Sequence, residues 1–272
     1  FDIRWVPLTH DGLLDTSNLD ALLDGAKAFS FTAMSNVLGT INPVKELVAA
    51  AHRHGAIAIV DGCQSVPHMP TDVQDWDADF MAFSSHKMVG PSGVGMLWGR
   101  EQLLDAMPPF LGGGNMIADV RTEGFTCADL PAKFEAGTQA IVEVVGLGAA
   151  VDYLGNIGMA NVRAHEHALT VHALDALQTR FGDDIVIHGS TDASVRGATI
   201  SFAYRDVHPH DVSQVLDQRN VCVRAGHHCA KPLMRLLGAN ATVRASFYLY
   251  NTPAEADVLC DALAEAGDFF TL

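Results

Sequence analysis

Ala56-Ile57-Ala58-Ile59-Val60-Asp61 is the stretch on which the fold turns. It is an apolar run rich in β-branched residues and closed by a carboxylate, the pattern of a strand covered on both faces. Upstream, Pro43 opens a helix with Val44, Leu47, Val48 and Ala51 on one face, and Gly55 stands where a helix of that length stops. Farther back, Leu19, Leu22 and Leu23 follow a Thr16-Ser17 cap with helical spacing, and residues 28–32 read as a strand. Downstream lie short apolar runs at 78–83 and 94–98. Strands alternating with helices predict parallel pairing in an α/β layer architecture.

The pattern changes beyond this region. Residues 140–180 read as mostly helical with a break at 155–158, and strands are predicted at 184–188, 198–204, 221–224 and 243–250. Thr252-Pro253-Ala254-Glu255 starts a last helix with a capping box and Pro at the first helical position. The expected organisation is a large domain over 1–155 with a mostly parallel central sheet, then a smaller α+β domain over 156–272.

Composition narrows the function classes. The chain has 272 residues, 49% of them apolar, with Lys+Arg 17 against Asp+Glu 32 for a net charge of −15. A chain this long buries roughly 75% of its unfolded surface and needs no disulfide or metal staple. The acidic balance without a Lys/Arg cluster argues against nucleic-acid binding, which draws on basic residues for its sequence-independent affinity. Apolar runs fall short of the ~20 residues that span a bilayer. The five cysteines, Cys63, Cys127, Cys222, Cys229 and Cys260, are odd in number, widely spaced and without a CxxC pair. They are read as free thiols in a reducing, cytoplasmic setting.

Chemistry is concentrated in Asp61-Gly62-Cys63-Gln64, then Ser84-Ser85-His86-Lys87, then Gly90-Pro91-Ser92-Gly93-Val94-Gly95. A lysine directly after an apolar strand, beside glycines that admit a ligand close to backbone, is placed to form a Schiff base. Taken alone, Lys87 also reads as a solvated loop lysine, and Asp61 as a cap of a helix or turn. Asp61 at the carboxyl end of its strand lies where open α/β sheets bind ligands. A carboxylate there can pair with the protonated pyridine nitrogen of pyridoxal phosphate (PLP). Arg244 in an apolar strand needs an anionic partner. Cys229 differs from the other cysteines because Arg224, His227 and His228 precede it and Lys231 follows, and nearby positive charge favours the thiolate. His227-His228-Cys229 could also suggest a metal site, but adjacent residues turn toward one ion only through a strained loop, and no second ligand pair stands at zinc-like spacing. No metal is expected.

These motifs, with Ser35-Asn36-Val37-Leu38-Gly39-Thr40, Phe134-Glu135-Ala136-Gly137-Thr138, Arg224-Ala225-Gly226-His227-His228-Cys229-Ala230 and Arg244-Ala245-Ser246, resemble the class V aminotransferase family of fold-type I PLP enzymes. The resemblance spans essentially the whole chain and is closest to the Suf-type, or group II, cysteine desulfurases and the related selenocysteine lyases. It implies a PLP-dependent transferase-like fold in which Lys87 holds PLP covalently and also moves protons. Asp61 pairs with the ring nitrogen, Gln64 bonds the ring hydroxyl, and Ser84 and His86 contact the phosphate. Asn36 lies beside cofactor and substrate carboxylate, Arg244 binds that carboxylate with Arg224 nearby, and Cys229 attacks the substrate sulfur. Thr138 reaches the phosphate of a partner subunit, which implies a homodimer, and the Gly112-Gly113-Gly114 run lies near the site entrance and dimer contact. The implied reaction converts L-cysteine to L-alanine and leaves a persulfide on Cys229, for a SufE-like or SufU-like acceptor and iron–sulfur cluster assembly. The implied alternatives are a selenocysteine lyase, another class V enzyme, or a catalytically silent dimerisation or acceptor-binding module.

Set against the family, the opening Phe1-Asp2-Ile3-Arg4-Trp5 falls partway through the large domain. The portion that supplies a phosphate-binding loop and a ring-stacking His in relatives precedes that point. Weak PLP binding by these residues alone is therefore the expectation.

Overall fold

A computed structural model of the chain describes residues 2–269; the outermost residues of both expected domains, 1 and 270–272, lie outside the described part. The first half is built from α1 (Leu19–Leu23), β1 (Ala28–Thr32), α2 (Val44–Arg53), β2 (Ile57–Asp61), α3 (Ser65–His68), β3 (Phe80–Ser84), β4 (Gly95–Gly99) and α4 (Glu101–Ala106). Its sheet runs β1-β2-β3-β4. Strands β1, β2 and β3 are parallel, and β4 returns antiparallel against β3. The sheet is thus mostly parallel, as the strand–helix alternation predicts.

The α2 stripe of Val44, Leu47, Val48 and Ala51 is buried. It joins Phe29, Phe31, Ala58, Val60 and Met81 in one apolar cluster. Gly55 takes a left-handed φ of 68° as the chain leaves α2. On β2, Ala58 and Val60 are buried while Ile57 and Ile59 are half-buried, so the cover expected on both faces is complete on one only.

A hairpin of β5 (Ile117–Arg121) and β6 (Gly124–Cys127) follows, then α5 (Ile141–Ile157) and α6 (Met159–Phe181), which part at Gly158. The second half holds β7 (Ile185–His188), β8 (Thr199–Tyr204), α7 (Pro209–Gln218), β9 (Arg224–Gly226), α8 (Lys231–Leu236), β10 (Thr242–Ser246) and α9 (Pro253–Phe269). Its four strands run β7-β8-β10-β9, every neighbour antiparallel. A separate apolar cluster gathers α6, α7, α9 and this sheet around Leu177, Ile200, Phe202, Leu216 and Leu263.

Two expected strands are corrected. The one placed at 221–224 begins only at Arg224, where pairing with β10 sets in. The one placed at 243–250 stops at Ser246: the Phe247 N–H makes the last in-register bond to β8's side, to the Ala198 carbonyl, and the Tyr248 N–H turns to Asn251 Oδ1. Half of the capping box forms: Glu255 Oε2 accepts the Thr252 N–H at 2.7 Å, while the Glu255 N–H goes to the Thr252 carbonyl and not to its hydroxyl. Among the described residues no single helix is long and apolar enough to cross a membrane.

Segment 35–40 stitches the two sheets together. Ser201 Oγ donates to the Val37 carbonyl at 2.6 Å, and the Gly197 N–H donates to the Gly39 carbonyl at 2.8 Å. Gly39 adopts φ of 70°, and a Cβ there would lie 2.7 Å from the Thr199 carbonyl oxygen. Only glycine lets this loop approach β8 so closely.

Candidate active site

Because β2 and β3 are parallel neighbours, their carboxyl ends share one edge of the sheet, and the chemistry-bearing residues of both strands meet there. Asp61 closes β2, and its Oδ1 accepts the Cys63 N–H at 2.9 Å. The Gly62 N–H donates to the Ala82 carbonyl at 2.8 Å, which pins this turn against β3. Gln64 follows as the cap residue of α3. Ser84 closes β3, with Oγ 3.8 Å from Cys63 Sγ. Burial pushes the Cys63 thiol up, the Asp61 carboxylate adds to the rise, and Lys87 opposes it. Asp61, Cys63, Ser84 and Lys87 therefore act on one small volume.

Ser85, His86 and Lys87 form a single 3-10 turn beyond β3, with Ser85 buried and His86 exposed. The Ser85 carbonyl accepts N–H groups from Met88 at 2.9 Å and Gly90 at 3.2 Å. A side chain at Gly90 would collide with Ser85 Oγ, and one at Gly95 would lie 2.7 Å from the Phe83 carbonyl. The glycines hold the loop tight around Lys87. Ser85, which sequence reasoning passed over, keeps a buried Oγ without a hydrogen-bond partner.

The Cys229 side is assembled from distant segments. Pairing of β9 with β10 sets Arg224 directly opposite Arg244. His228 and Cys229 then take consecutive left-handed conformations, φ 53° and 62°, which non-glycine residues adopt rarely and at a cost. This turn buries His228 and leaves Cys229 exposed, with Arg224 Nη2 3.8 Å from Cys229 Sγ. Asn36 ties the turn to β10: its Nδ2 donates to the His228 carbonyl at 2.7 Å, and its backbone carbonyl accepts from Arg244 Nη1 at 3.0 Å. Arg244 Nε is buried and unpartnered, and burial with Arg224 nearby holds the guanidinium below its ordinary range while Cys229 opposes the shift.

One expectation is corrected here. The sequence places His228 among the positive charges around Cys229. Burial first, then Arg244 and Arg224, push its imidazole down to about 4, and its Nε2 sits 2.8 Å from Thr242 Oγ1. It is neutral near pH 7 and acts through the backbone turn it anchors. Nothing in the sequence marks Thr242 as its partner, since the contact depends on strand register. His228 faces inward and Cys229 outward, so His227, His228 and Cys229 do not converge on one point.

Thr138 is exposed. It follows Gly137, whose N–H donates to the Gly114 carbonyl at 2.7 Å, so the Gly112–Gly114 turn packs on the segment leading to Thr138.

The chain belongs to the aminotransferase class-V family, whose model matches residues 1–259. Within that family the similarity runs to cysteine desulfurases. A probable cysteine desulfurase of Streptomyces coelicolor is 53% identical over 98% of this chain, and the match covers 64% of that relative. The cysteine desulfurase of Haloferax volcanii is 49% identical over 99% of the chain and 63% of its own length. Among solved structures, the apo cysteine desulfurase from Thermococcus onnurineus superposes with a TM-score of 0.92 at 37% identity, over 96% of this chain and 65% of that one. The cysteine desulfurase CsdA of Escherichia coli, solved with an S-sulfonic acid, gives 0.91 at 36% identity, over 97% and 65%. The chain thus has the PLP-dependent transferase-like fold of these structures and spans a little under two thirds of their length.

Proposed function

We propose that the protein of which these residues form part is a PLP-dependent cysteine desulfurase, in which L-cysteine and the Cys229 thiol give L-alanine and a Cys229 persulfide. The observation that carries the reading is the Cys229 turn: an exposed thiol on left-handed backbone, beside Arg224 and tied through Asn36 to Arg244. Two guanidinium groups flank the thiol, one of them with a buried Nε in need of an acceptor. A substrate carboxylate supplies that acceptor in the bidentate form that suits arginine.

The donor set at the other edge fits PLP. It offers an amine at Lys87 for the aldehyde, a carboxylate at Asp61 for the ring nitrogen, and Gln64 for the ring hydroxyl. Ser84, His86 and, from a partner subunit, Thr138 serve the phosphate. The unpartnered buried Oγ of Ser85 lies in the same turn. When bound, PLP supplies an electron sink at the substrate α-carbon. Lys87 Nζ takes and returns the α-proton as general base and acid. Cys229 Sγ receives the substrate sulfur: the substrate C–S bond breaks, an S–S bond forms, and alanine leaves.

We further propose a domain division at 155/156, supported by the two separate apolar clusters, with the Cys229 loop on the smaller domain. The division falls in the last turn of α5. A homodimer, and delivery of the persulfide to an acceptor protein for iron–sulfur cluster assembly, complete the reading. The test is a visible spectrum of the PLP-loaded full chain before and after L-cysteine, with alanine measured. A cofactor band that cysteine perturbs, with alanine formed, supports it; no PLP uptake, or uptake without alanine, contradicts it.

A further inference from the structure

One buried ionisable group has no place in the reaction above. Glu166, on α6, is 0% exposed, and its Oε1 lies 2.8 Å from Nδ1 of His68, itself 15% exposed at the end of α3. Glu166 Oε2 has no hydrogen-bond partner. Isolated buried carboxylates are expensive, so a fold that keeps one gives it a partner that matters. The rest of the surroundings adds few fixed contacts. Arg163 and His165 on the same helix, with Tyr248 beyond β10, are the other ionisable groups that feel Glu166, and Tyr250 and Tyr153 flank Tyr248. Burial pushes the Glu166 carboxyl up, with His68, Arg163 and His165 opposing.

Position gives the pair its meaning. α3 is a single turn, and it continues without a break from the Asp61–Gln64 turn, since the Val66 N–H donates to the Gly62 carbonyl at 3.0 Å. Its far end is clamped twice more. Tyr248 Oη donates to the Pro67 carbonyl at 3.0 Å, and the Tyr248 ring meets His68 edge-on at 4.7 Å. Tyr248 follows the end of β10, the strand that carries Arg244, on the segment that leaves it. The same few side chains therefore link the turn bearing Asp61 and Gln64, helix α6, and the strand bearing Arg244.

We propose that His68 and Glu166 are a positioning pair that sets α3, and with it Asp61 and Gln64, at a fixed distance from Arg244, so that ring nitrogen and substrate carboxylate are held in one frame. This rests on the roles given above to Asp61, Gln64 and Arg244. Neither His68 nor Glu166 touches cofactor or substrate; both act through α3. Small displacements matter because catalytic geometry tolerates misplacement of about 1 Å poorly.

The experiment uses the full chain loaded with PLP and reads cofactor dissociation, the visible band and the KM and kcat for L-cysteine. His68→Leu is expected to weaken PLP retention about tenfold, the equivalent of one charge-assisted hydrogen bond, and to raise KM. His68→Asn, which keeps a donor near Nδ1, is expected to recover most of that loss, and Glu166→Gln is expected to move the pH dependence of the visible band. Folded His68→Leu protein with parent-like retention and KM overturns the proposal, as does a loss that His68→Asn does not recover. Should His68→Leu fail to fold, Tyr248→Phe deletes only the hydroxyl on Pro67 and is expected to weaken retention a few-fold; unchanged retention there overturns the proposal equally. Failure of the underlying reading shows in the parent itself, as a full chain that holds no PLP, and removes the proposal with it.

Discussion

The Lys87 edge and the Cys229 turn are built by opposite means. At the Lys87 edge, Asp61, Gln64, Ser84, His86 and Lys87 come from one continuous run, 61–95, and the geometry follows from two parallel strand ends and glycine packing. The side-chain hydrogen bonds of these residues reach no farther than 21 residues along the chain, and the run's non-glycine residues on left-handed backbone, Asp77 at φ 56° and Val89 at φ 55°, stand apart from one another. The Cys229 turn draws on segments 35–40, 224–229 and 242–244, places two non-glycine residues in left-handed backbone, and leaves His228 Nδ1 and Arg244 Nε buried without partners. The proposed cofactor edge thus rests on adjacent strand ends and a glycine-tightened loop, whereas the thiol sits on two consecutive left-handed residues held by long-range hydrogen bonds. Strain of this kind persists only where surrounding structure over-determines it.

The contrast can be broken most sharply at its two ends. Lys87→Ala should abolish the cofactor band and lower alanine formation by ~10³-fold or more, measured as absorbance and product in the full chain. Cys229→Ser should lower alanine formation by a comparable ~10³-fold while leaving the cofactor band in place, because only the second region is touched. Arg244→Ala should follow, raising KM for L-cysteine by about a hundredfold through loss of a charge-paired hydrogen bond, with PLP retention unchanged.

Smaller effects sharpen the distinction in stability. Gly39→Ala places a side chain against the Thr199 carbonyl on left-handed backbone and should destabilise by about 1–3 kcal/mol in denaturant unfolding, loosening Asn36 with it. His228 titrates near 4 in the fold, below the ~6.5 of an unfolded histidine. Between those values the unfolded chain binds more protons, so the stability due to a neutral His228 is intact above about pH 6.5 and is lost as pH falls toward 4. Thermal unfolding across that window should show the loss, and His228→Gln should flatten it.

What the sequence discloses follows the same divide. The placement of Asp61 and Lys87 is legible because a strand's end and the residues after it occupy one sheet edge, whatever the rest of the chain does; Ser84 and His86 stand out only through the family resemblance. The α2 stripe and the Thr252–Glu255 cap are legible for the same local reason. The β5–β6 hairpin escapes because its strands are exposed on most positions and carry little burial alternation. The start of β9 depends on its register with β10, and the neutrality of His228 depends on its burial and on Arg244, which the fold brings close; neither is encoded by near neighbours. The His68–Glu166 contact joins residues 98 positions apart and is invisible to any local pattern.

The proposed convergence of the two regions on one substrate has a direct test. Peptides of the PLP-loaded full chain are weighed by mass spectrometry after a single turnover of L-cysteine without reductant. One added sulfur atom on the Cys229 peptide, and none on those of Cys63, Cys127, Cys222 or Cys260, is the predicted result. Alanine formed with the sulfur on another cysteine, or with Cys229 unmodified, would contradict it.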